Sequence, residues 1–390
     1  MRKMYKFHCL NPIAKVGLNR FTDEYEKTDK LEDADAVLVR SADMNSMDLP
    51  DTIKIVARAG AGVNNIPLEE CAKKGIVVVN TPGANANGVK EMVIAGMLLA
   101  SRDIVGGIEW VKREQDKEDI GKLAEKSKKD FAGCEISGKK LGIIGLGAIG
   151  AQLANTAVHL GMEVYGYDPF ISVDTAWNLS RSIKHISDLK TIYKECDFIS
   201  IHVPATEDTT KMINKKAIKK MKDNVVILNF ARDILVDEKA LVEALEAGKI
   251  KKYVTDFANP TVAGQDNVIV TPHLGASTEE SEDNCAVMAV KEIREYLENG
   301  NIRNSVNFPN CDMGKCMAES RVTIKHKNIA SMLAKFTAIL GEAEYNIADL
   351  TNKSRGEYAY TMLDLDKRLD KETLTKLKSV DGVMSIRIVK

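Results

Sequence analysis

Hydrophobic residues in the first part of the chain fall into short continuous runs separated by polar and helical stretches. The runs DAVLVRS, IKIVARAG and IVVVNTPG lie within the first 85 residues, and the helical pattern PLEECAKKG stands between the last two. Apolar runs of this length that alternate with helices are typical of a parallel sheet covered on both faces. This part of the chain therefore predicts a doubly wound α/β domain.

A second α/β series begins at GKKLGIIGLGAIG. Further strands are predicted at MEVYGYD, CDFISIHVP, NVVILNF, KKYVTDF and NVIVTPH. Six strands in one series match a complete dinucleotide-binding domain. Ahead of this series, apolar residues at helical spacing predict one long helix around residues 90–113, and the lysine-rich KEDIGKLAEKSKKD predicts a solvated face or exposed loop.

The composition changes after a helical run that ends at Gly300. The segment NIRNSVNFPNCDMGKCMAES is rich in Asn and predicts a linker. Beyond it, strand and helix patterns follow in the order βαββαβ, which is the ferredoxin-like arrangement. The predicted fold class is α/β, with two Rossmann/flavodoxin-like doubly wound domains plus a ferredoxin-like domain.

Composition and charge narrow the class of protein. A chain of 390 residues should contain two or three domains, and its net charge of -1 gives no general reason to bind nucleic acid or an anionic membrane. The longest apolar run, MVIAGMLLA, is too short to cross a bilayer, and the N-terminus lacks the apolar region of a signal peptide. Seven scattered cysteines include no CxxC pair. We expect a cytoplasmic protein without a metal site.

Gly145, Gly147 and Gly150 form a GxGxxG motif directly after an apolar strand and at the start of a helix. In this context the motif favours a dinucleotide, because the glycines permit close approach of a pyrophosphate and the helix N-terminus faces its negative charge. Asp168 ends the next strand, where a carboxylate can bond both ribose hydroxyls and repels a 2′-phosphate. NAD is therefore expected rather than NADP. The alternative is a turn that binds nothing, with Asp168 as a helix cap.

Arg232 and His273 each follow a strand of this second series. The guanidinium of Arg232 could bind a substrate carboxylate and polarise the adjacent carbonyl, although a surface ion pair with Asp233 or Asp237 is an equal alternative. A histidine suits proton transfer near neutral pH, although a lone histidine is more often only packed. Because both residues end strands of the sheet that would bind the nicotinamide, they are the candidate catalytic pair.

His202 also ends a strand of the series, in ISIHVP. The next residues are Val203 and Pro204, so this segment is interpreted as an apolar wall beside the cofactor.

Together these motifs resemble the D-isomer-specific 2-hydroxyacid dehydrogenases, and within that family the enzymes that oxidise 3-phosphoglycerate. The resemblance covers essentially the whole chain and includes ARAGAGVNNIPLEECAKKGIVVVNTPG, KKLGIIGLGAIG, NFARDILVDE and VTPHLGAST in the family's order. It implies that Arg232 orients the substrate, that His273 is the acid/base, and that Asp256 holds the nicotinamide carboxamide. The expected cofactor contacts are Gly145, Gly147, Ala148, Ile149, Gly150, Asp168, Val203, Pro204, Ala231 and Asp256.

The resemblance also implies a substrate site, a domain division and an assembly. Arg40 and Ser41 would bind the substrate phosphate, and Gly60, Gly62 and Asn85 would line its carboxylate side. The expected domains are a substrate-binding domain (1–85 and 276–308), an NAD-binding domain (86–275), a linker (309–320) and an ACT domain (321–390). A homodimer or homotetramer is expected, with the helix around 90–113 as a candidate dimer interface.

The C-terminal region is similar to an ACT domain, a small ligand-sensing module. By that resemblance His326, Asn328 and Asn346 would bind L-serine as an effector across a subunit interface. The chain reads HKNIASML where such modules often have a proline after the asparagine. A purely structural dimerisation module is the alternative.

The segment after the strand KKYVTDF departs from the family pattern. The family pairs the catalytic histidine with a glutamate in Asp-Val-Phe-x-x-Glu-Pro, whereas this chain has Asn259 before Pro260. Either Asp266, Glu279 or Glu280 replaces the glutamate, or His273 works without a carboxylate, which is our hypothesis. It predicts that keto-acid reduction falls as pH rises through the neutral range. The competing functions are a dehydrogenase of another 2-hydroxy acid and an NAD-sensing regulatory protein without turnover.

Overall fold

The computed structural model describes residues 4–390, which form two compact units. The first unit consists of the chain up to Asn85 together with Glu279–Lys390, and the second unit is Ala86–Thr278. The α-helices, in chain order, are α1 (Lys15–Leu18), α2 (Leu68–Lys73), α3 (Ala86–Ser101), α4 (Ile104–Arg113), α5 (Ile120–Ser127), α6 (Ala148–His159), α7 (Val173–Trp177), α8 (Leu189–Glu195), α9 (Lys215–Lys220), α10 (Glu238–Glu246), α11 (Glu279–Asn299), α12 (Met332–Glu342) and α13 (Lys371–Lys378).

A five-stranded parallel sheet forms the centre of the first unit. Its strands are β1 (Tyr5–Cys9), β2 (Tyr25–Lys27), β3 (Ala36–Val39), β4 (Ile55–Arg58) and β5 (Val77–Asn80). The spatial order β2-β1-β3-β4-β5 is that of a flavodoxin-like sheet. The apolar runs at β3, β4 and β5 are buried on both faces, because α11 packs on one side and a second apolar cluster fills the other.

A seven-stranded parallel sheet forms the centre of the second unit. Its strands are β6 (Lys140–Ile144), β7 (Glu163–Tyr167), β8 (Lys184–His185), β9 (Phe198–Ile201), β10 (Val225–Asn229), β11 (Ile250–Thr255) and β12 (Val268–Val270). They lie in the order β12-β11-β10-β9-β6-β7-β8. The chain therefore reverses its direction across the sheet between β6 and β9, which is where dinucleotides bind in this fold. Six of these strands were predicted, and the two-residue β8 is an addition at the sheet edge.

The single helix predicted around residues 90–113 is wrong, because the chain forms α3 and α4 with a break between them. The break falls at Asp103, whose side-chain oxygen accepts a hydrogen bond from the backbone N–H of Gly106 at 3.1 Å. Aspartate is a preferred N-cap, so it starts a new helix at this position. The lysine-rich segment that follows contains α5, whose residues are all exposed or half-buried.

A four-stranded antiparallel sheet forms the C-terminal part of the first unit. Its strands are β13 (Ser320–Lys327), β14 (Ile347–Arg355), β15 (Tyr358–Leu365) and β16 (Val383–Ile388). The order β14-β15-β13-β16, with α12 after β13 and α13 after β15, is the ferredoxin-like arrangement. The predicted fold class is thereby confirmed.

Basic side chains of the antiparallel sheet reach the C-terminal end of α11. Arg321 donates to the carbonyl of Asn299 at 3.0 Å, and Arg387 donates to the carbonyl of Leu297 at 3.0 Å. Arg321 is 1% exposed and forms a bidentate ion pair with Asp364, at 2.6 and 2.8 Å. Positive charge at a helix C-terminus satisfies the last carbonyls and complements the helix dipole. These contacts join the antiparallel sheet to the rest of the first unit.

The segment predicted as a linker is partly packed. Cys311 is buried and exchanges two backbone hydrogen bonds with Ile302, at 2.8 and 2.9 Å. The division into three domains with a linker stays a prediction. Within residues 4–390 no helix has the length and apolar character needed to span a membrane.

Candidate active site

The glycine motif forms the turn between β6 and α6. Gly145 has a φ of +95°, and a Cβ atom there would lie 2.8 Å from the backbone carbonyl of His202. A Cβ atom on Gly150 would lie 1.9 Å from the carbonyl oxygen of Gly145. At Gly147 the same construction meets no atom within 4 Å, so the backbone is open on that side. Two of the glycines are therefore required by packing, and the third leaves room for a pyrophosphate at the start of α6.

The carboxylate of Asp168 lies beside this turn, directly after β7. One oxygen accepts from the backbone N–H of Leu146 at 2.9 Å, and the other accepts from the N–H of Phe170 at 2.8 Å. Since a carboxylate has about four acceptor positions, capacity remains for ribose hydroxyls. Asp168 thus anchors the glycine turn and fits the role predicted for it.

His202, at the end of β9, is poorly suited to acid catalysis. Its Nε2 lies 2.8 Å from the hydroxyl of Ser200, and burial lowers the pKa of the imidazole to about 4. The ring is therefore neutral at neutral pH. The neighbouring Val203 packs against the same apolar cluster as Ala231, while Pro204 is exposed. These features agree with an apolar wall at this edge of the sheet.

Arg232 follows β10 in extended conformation, and its backbone is held by Asn229. The amide of Asn229 donates to the carbonyl of Arg232 at 2.9 Å, and its oxygen accepts from the N–H of Ala231 at 3.2 Å. Within residues 4–390 Arg232 forms no ion pair, so the surface pairing with Asp233 or Asp237 is not observed. The half-buried guanidinium donates from Nη1 to the carbonyl of Ala231 at 2.6 Å, and its other donors are available to a carboxylate and a carbonyl of a substrate.

Asp256 follows β11 and is 2% exposed. Its Oδ2 accepts from the backbone N–H of Gly275 at 2.9 Å, whereas its buried Oδ1 has no hydrogen-bond partner in the described part of the chain. Burial raises the pKa of this carboxyl, against the opposing effects of the Gly275 N–H and the positive charges of His273 and Arg232. A buried acceptor without a partner fits an N–H donor such as the carboxamide of a nicotinamide.

His273 lies after β12 with an exposed ring, and the centroid of the Phe257 ring is 4.9 Å away. Within Ala86–Thr278 no carboxylate, Asp266 included, forms an ion pair with it; Glu279 and Glu280 belong to the other unit. The carboxyl with which it interacts electrostatically is Asp256.

Asn259, which stands where the family has its glutamate, has a structural role. Its amide donates to Glu238 at 2.7 Å, and its oxygen accepts from the backbone N–H of Thr261 at 2.9 Å. It therefore closes a turn, and it has no hydrogen bond to His273 within residues 4–390.

The residues predicted to bind substrate lie in the first unit. Arg40 and Ser41 follow β3, and the guanidinium of Arg40 lies 2.5 Å from a carboxylate oxygen of Glu282. Gly60, with a φ of +145°, donates its N–H to the hydroxyl of Thr81 at 2.7 Å. Gly62 and Asn85 are half-buried in the loops after β4 and β5.

Comparisons with known proteins identify the family of this chain. Residues 94–275 match the family model of the D-isomer specific 2-hydroxyacid dehydrogenase, NAD binding domain. The chain is 35% identical over 369 residues to the D-3-phosphoglycerate dehydrogenase of Methanocaldococcus jannaschii, a match that covers 92% of this chain and 67% of that protein. It is 36% identical over 317 residues to the hydroxypyruvate reductase of Thermotoga maritima, covering 75% of this chain and 98% of that protein.

A solved structure gives the same result. The NAD+-bound 3-phosphoglycerate dehydrogenase of Entamoeba histolytica superposes with a TM-score of 0.60 at 29% identity, covering 78% of this chain and 99% of that chain. This chain belongs to the D-isomer specific 2-hydroxyacid dehydrogenase family. The predicted family is confirmed, and NAD is the cofactor of this oxidoreductase.

Family membership leaves open the residues predicted to bind an effector. His326 is buried, and its ring nitrogens lie 2.8 Å from the carbonyl of Lys327 and 2.9 Å from the hydroxyl of Thr361. Burial lowers the pKa of this ring. The side chain of Asn328 donates to the carbonyl of Gly356 at 3.1 Å. The backbone N–H of Asn346 donates to the side chain of Asp366 at 3.0 Å. An effector role for these three residues stays a prediction.

Asn229 is a site residue that sequence reasoning missed. It is fully buried at the end of β10, and its amide also donates to the hydroxyl of Tyr253 at 3.1 Å. The signal was a polar amide directly after four apolar residues of a strand, because a buried amide needs several partners and usually fixes nearby backbone.

Proposed function

We propose that this protein oxidises the C2 hydroxyl of D-3-phosphoglycerate to 3-phosphohydroxypyruvate with NAD, the first step of L-serine biosynthesis. The observation that carries the proposal is that Arg232, Asp256 and His273 follow β10, β11 and β12, which are neighbouring strands of one parallel sheet. A cation, a histidine and a buried acceptor at the carboxyl ends of β10, β11 and β12 are the groups that hydride transfer from a hydroxy acid needs. The relatives named D-3-phosphoglycerate dehydrogenase support the choice of substrate.

Each residue has a defined task in this reaction. Arg232 binds the substrate carboxylate and stabilises the oxygen on C2. His273 accepts the proton of the C2 hydroxyl as the hydride leaves C2, and returns it when the keto acid is reduced. NAD supplies the hydride acceptor, and Oδ1 of Asp256 would hold its carboxamide. Arg40 and Ser41 bind the phosphate of the substrate.

His273 works without the glutamate of the family in this proposal. A carboxylate partner orients the ring and stabilises its charged form, so its loss tunes the rate rather than abolishing the reaction. Reduction of the keto acid should therefore slow as pH rises through the neutral range. A reduction rate that stays flat into the alkaline range would contradict this proposal.

A second candidate substrate is an unphosphorylated 2-hydroxy acid. It is favoured by the similarity to the hydroxypyruvate reductase, a protein that this chain covers almost completely. Arg40 distinguishes the two substrates, since only a phosphorylated acid places an anion beside it.

The decisive experiment measures loss of NADH absorbance with 3-phosphohydroxypyruvate and with hydroxypyruvate, for the wild type, His273→Ala and Arg40→Ala. We expect the wild type to prefer the phosphorylated acid, His273→Ala to lose turnover with both, and Arg40→Ala to lose only the preference. NADH binding without turnover on either acid would support a regulatory protein instead. Wild-type preference for hydroxypyruvate would replace the proposed substrate.

We further propose a homo-oligomer, a dimer or a tetramer, with L-serine as an effector at the ferredoxin-like sheet. Because His326 is already bonded on both ring nitrogens, serine would have to displace its contact with Thr361. Absence of any effect of L-serine on turnover would favour a structural module.

A further inference from the structure

The backbone N–H groups of the loop that carries Arg40 and Ser41 are bound by the side chain of Asn11. The side-chain oxygen of Asn11 accepts from the backbone N–H groups of Arg40, Ser41 and Ala42, at 3.0, 3.1 and 3.0 Å. Asn65 donates to the carbonyl of Ala42 at 2.8 Å from the other side. Three consecutive backbone donors are therefore already in use, and the loop offers no free row of N–H groups to an anion.

The guanidinium of Arg40 is held from a different part of the first unit. Its Nη2 lies 2.5 Å from Oε1 of Glu282, in the first turn of α11, and both side chains are 42% exposed. An arginine carries five N–H donors, and this pair uses one nitrogen. Within residues 4–390 the other two guanidinium nitrogens of Arg40 make no hydrogen bond, so they remain available to a second anion.

We infer that Asn11 and Glu282 are positioning residues that set the specificity for a phosphorylated substrate. Asn11 fixes the backbone and Glu282 fixes the guanidinium, so that the phosphate is bound by the side chains of Arg40 and Ser41 alone. The physical reason is entropy: an arginine that is already held loses little freedom when its anion arrives. This inference rests on the proposed function, because it concerns the same substrate.

The opposite role for Glu282 predicts the opposite result. If the carboxylate competed with the phosphate for Arg40, its removal would strengthen substrate binding. If Glu282 positions Arg40, its removal weakens binding of the phosphorylated acid and leaves the unphosphorylated acid unaffected. The sign of the change in KM therefore decides between the two roles.

The experiment compares Glu282→Ala and Glu282→Gln with the wild type in the reduction of 3-phosphohydroxypyruvate and hydroxypyruvate. For Glu282→Ala we expect KM for the phosphorylated acid to rise about three- to fivefold, the scale of an exposed ion pair, with kcat and the KM for hydroxypyruvate unchanged. Glu282→Gln keeps an acceptor oxygen and should recover part of the loss. Asp283→Ala, the next residue of α11, is the matched control. A lower KM in Glu282→Ala, or an equal rise for both acids, overturns the inference.

Asn11 gives an independent arm of the test. Asn11→Ala removes three hydrogen bonds and should raise KM for the phosphorylated acid by about tenfold or more, again with little effect on hydroxypyruvate. Asn11→Asp keeps the acceptor oxygen and replaces the alanine variant in the test if that variant does not fold. It should preserve more of the preference for the phosphorylated acid than Asn11→Ala does. Equal losses on both acids overturn the inference. A wild type that does not prefer the phosphorylated acid refutes the proposed function and this inference with it, whereas a preference that survives in all variants refutes only the inference.

Discussion

Asp256 in the second unit and Glu292 in the first are both buried carboxyl groups, at 2% and 5% exposure, and each has one oxygen without a hydrogen-bond partner within residues 4–390. Their surroundings differ. Asp256 follows a strand, accepts a backbone N–H and lies near two cations. Glu292 lies inside α11, where Asn304 donates to it at 2.5 Å and the neighbouring Lys291 provides only a weak opposing charge.

The comparison shows that burial alone does not make a binding group. Burial raises the pKa of Glu292 to about 8, so its carboxyl carries a proton at neutral pH and needs no counter-charge. Burial also raises the pKa of Asp256, but the N–H of Gly275 and the positive charges of His273 and Arg232 oppose that rise, which suits an acceptor for a ligand. The carboxyl end of a parallel strand supplies such partners, whereas the middle of a helix does not.

The largest expected effect comes from removing a cation beside Asp256. Arg232→Ala should lower kcat for keto-acid reduction by about two to three orders of magnitude, because it removes the donor that stabilises the developing oxygen charge. The measurement is steady-state kinetics, with the exposed Arg181→Ala as the matched control. If kcat is unchanged in the variant and only KM rises, Arg232 contributes to ground-state binding of the substrate and not to the transition state.

The next effect is expected at Glu292, on stability rather than on turnover. The folded protein keeps a proton on Glu292 up to about pH 8, whereas the unfolded chain loses it near pH 4, so this group's stabilising contribution is full at low pH and is lost as pH rises to about 8. Glu292→Gln keeps the acceptor for Asn304 and removes the titration. Since a difference of one pKa unit corresponds to about 1.4 kcal/mol, the variant should be more stable than the wild type by several kcal/mol at pH 9 and similar at pH 4.

Urea unfolding at several pH values measures this difference. Lys291→Ala is the control, since losing the nearby positive charge should move the wild-type pH dependence slightly upward without abolishing it. If Glu292→Gln and the wild type lose stability in parallel between pH 5 and 9, Glu292 is not the group that titrates.

The smallest effect is expected from neutralising Asp256 itself. Asp256→Asn keeps one acceptor oxygen, but it removes the carboxyl group's negative charge and introduces a buried amide N–H donor. KM for NADH should therefore rise about tenfold while the protein stays folded. The matched substitution Glu292→Gln should leave KM for NADH unchanged, because the carboxyl of Glu292 already carries a proton at neutral pH. Fluorescence titration with NADH compares the two variants. Equal affinities would remove the distinction between the two carboxyls.

Much of the fold could be predicted from the sequence because its strands are continuous apolar runs. The runs that became β3, β4 and β5 have no helical period and are buried on both faces. β1 and β2 were not predicted, because YKFHC and YEK mix polar and apolar residues. These segments form strands by pairing with each other across about twenty residues of sequence. The break at Asp103 was missed because the apolar pattern of α3 continues in register beyond it.

The sequence by itself determined the glycine turn, most strands of the second series and the positions of Arg232 and His273 after two of them, because each depends on residues close together in the chain. Tertiary structure alone decided which side chains position Arg40. Asn11 binds the backbone of Arg40 across 29 residues of sequence, and Glu282 contacts the guanidinium of the same arginine from a distant part of the chain. No local pattern records such contacts, since they form only after the sheet and α11 have brought distant segments together.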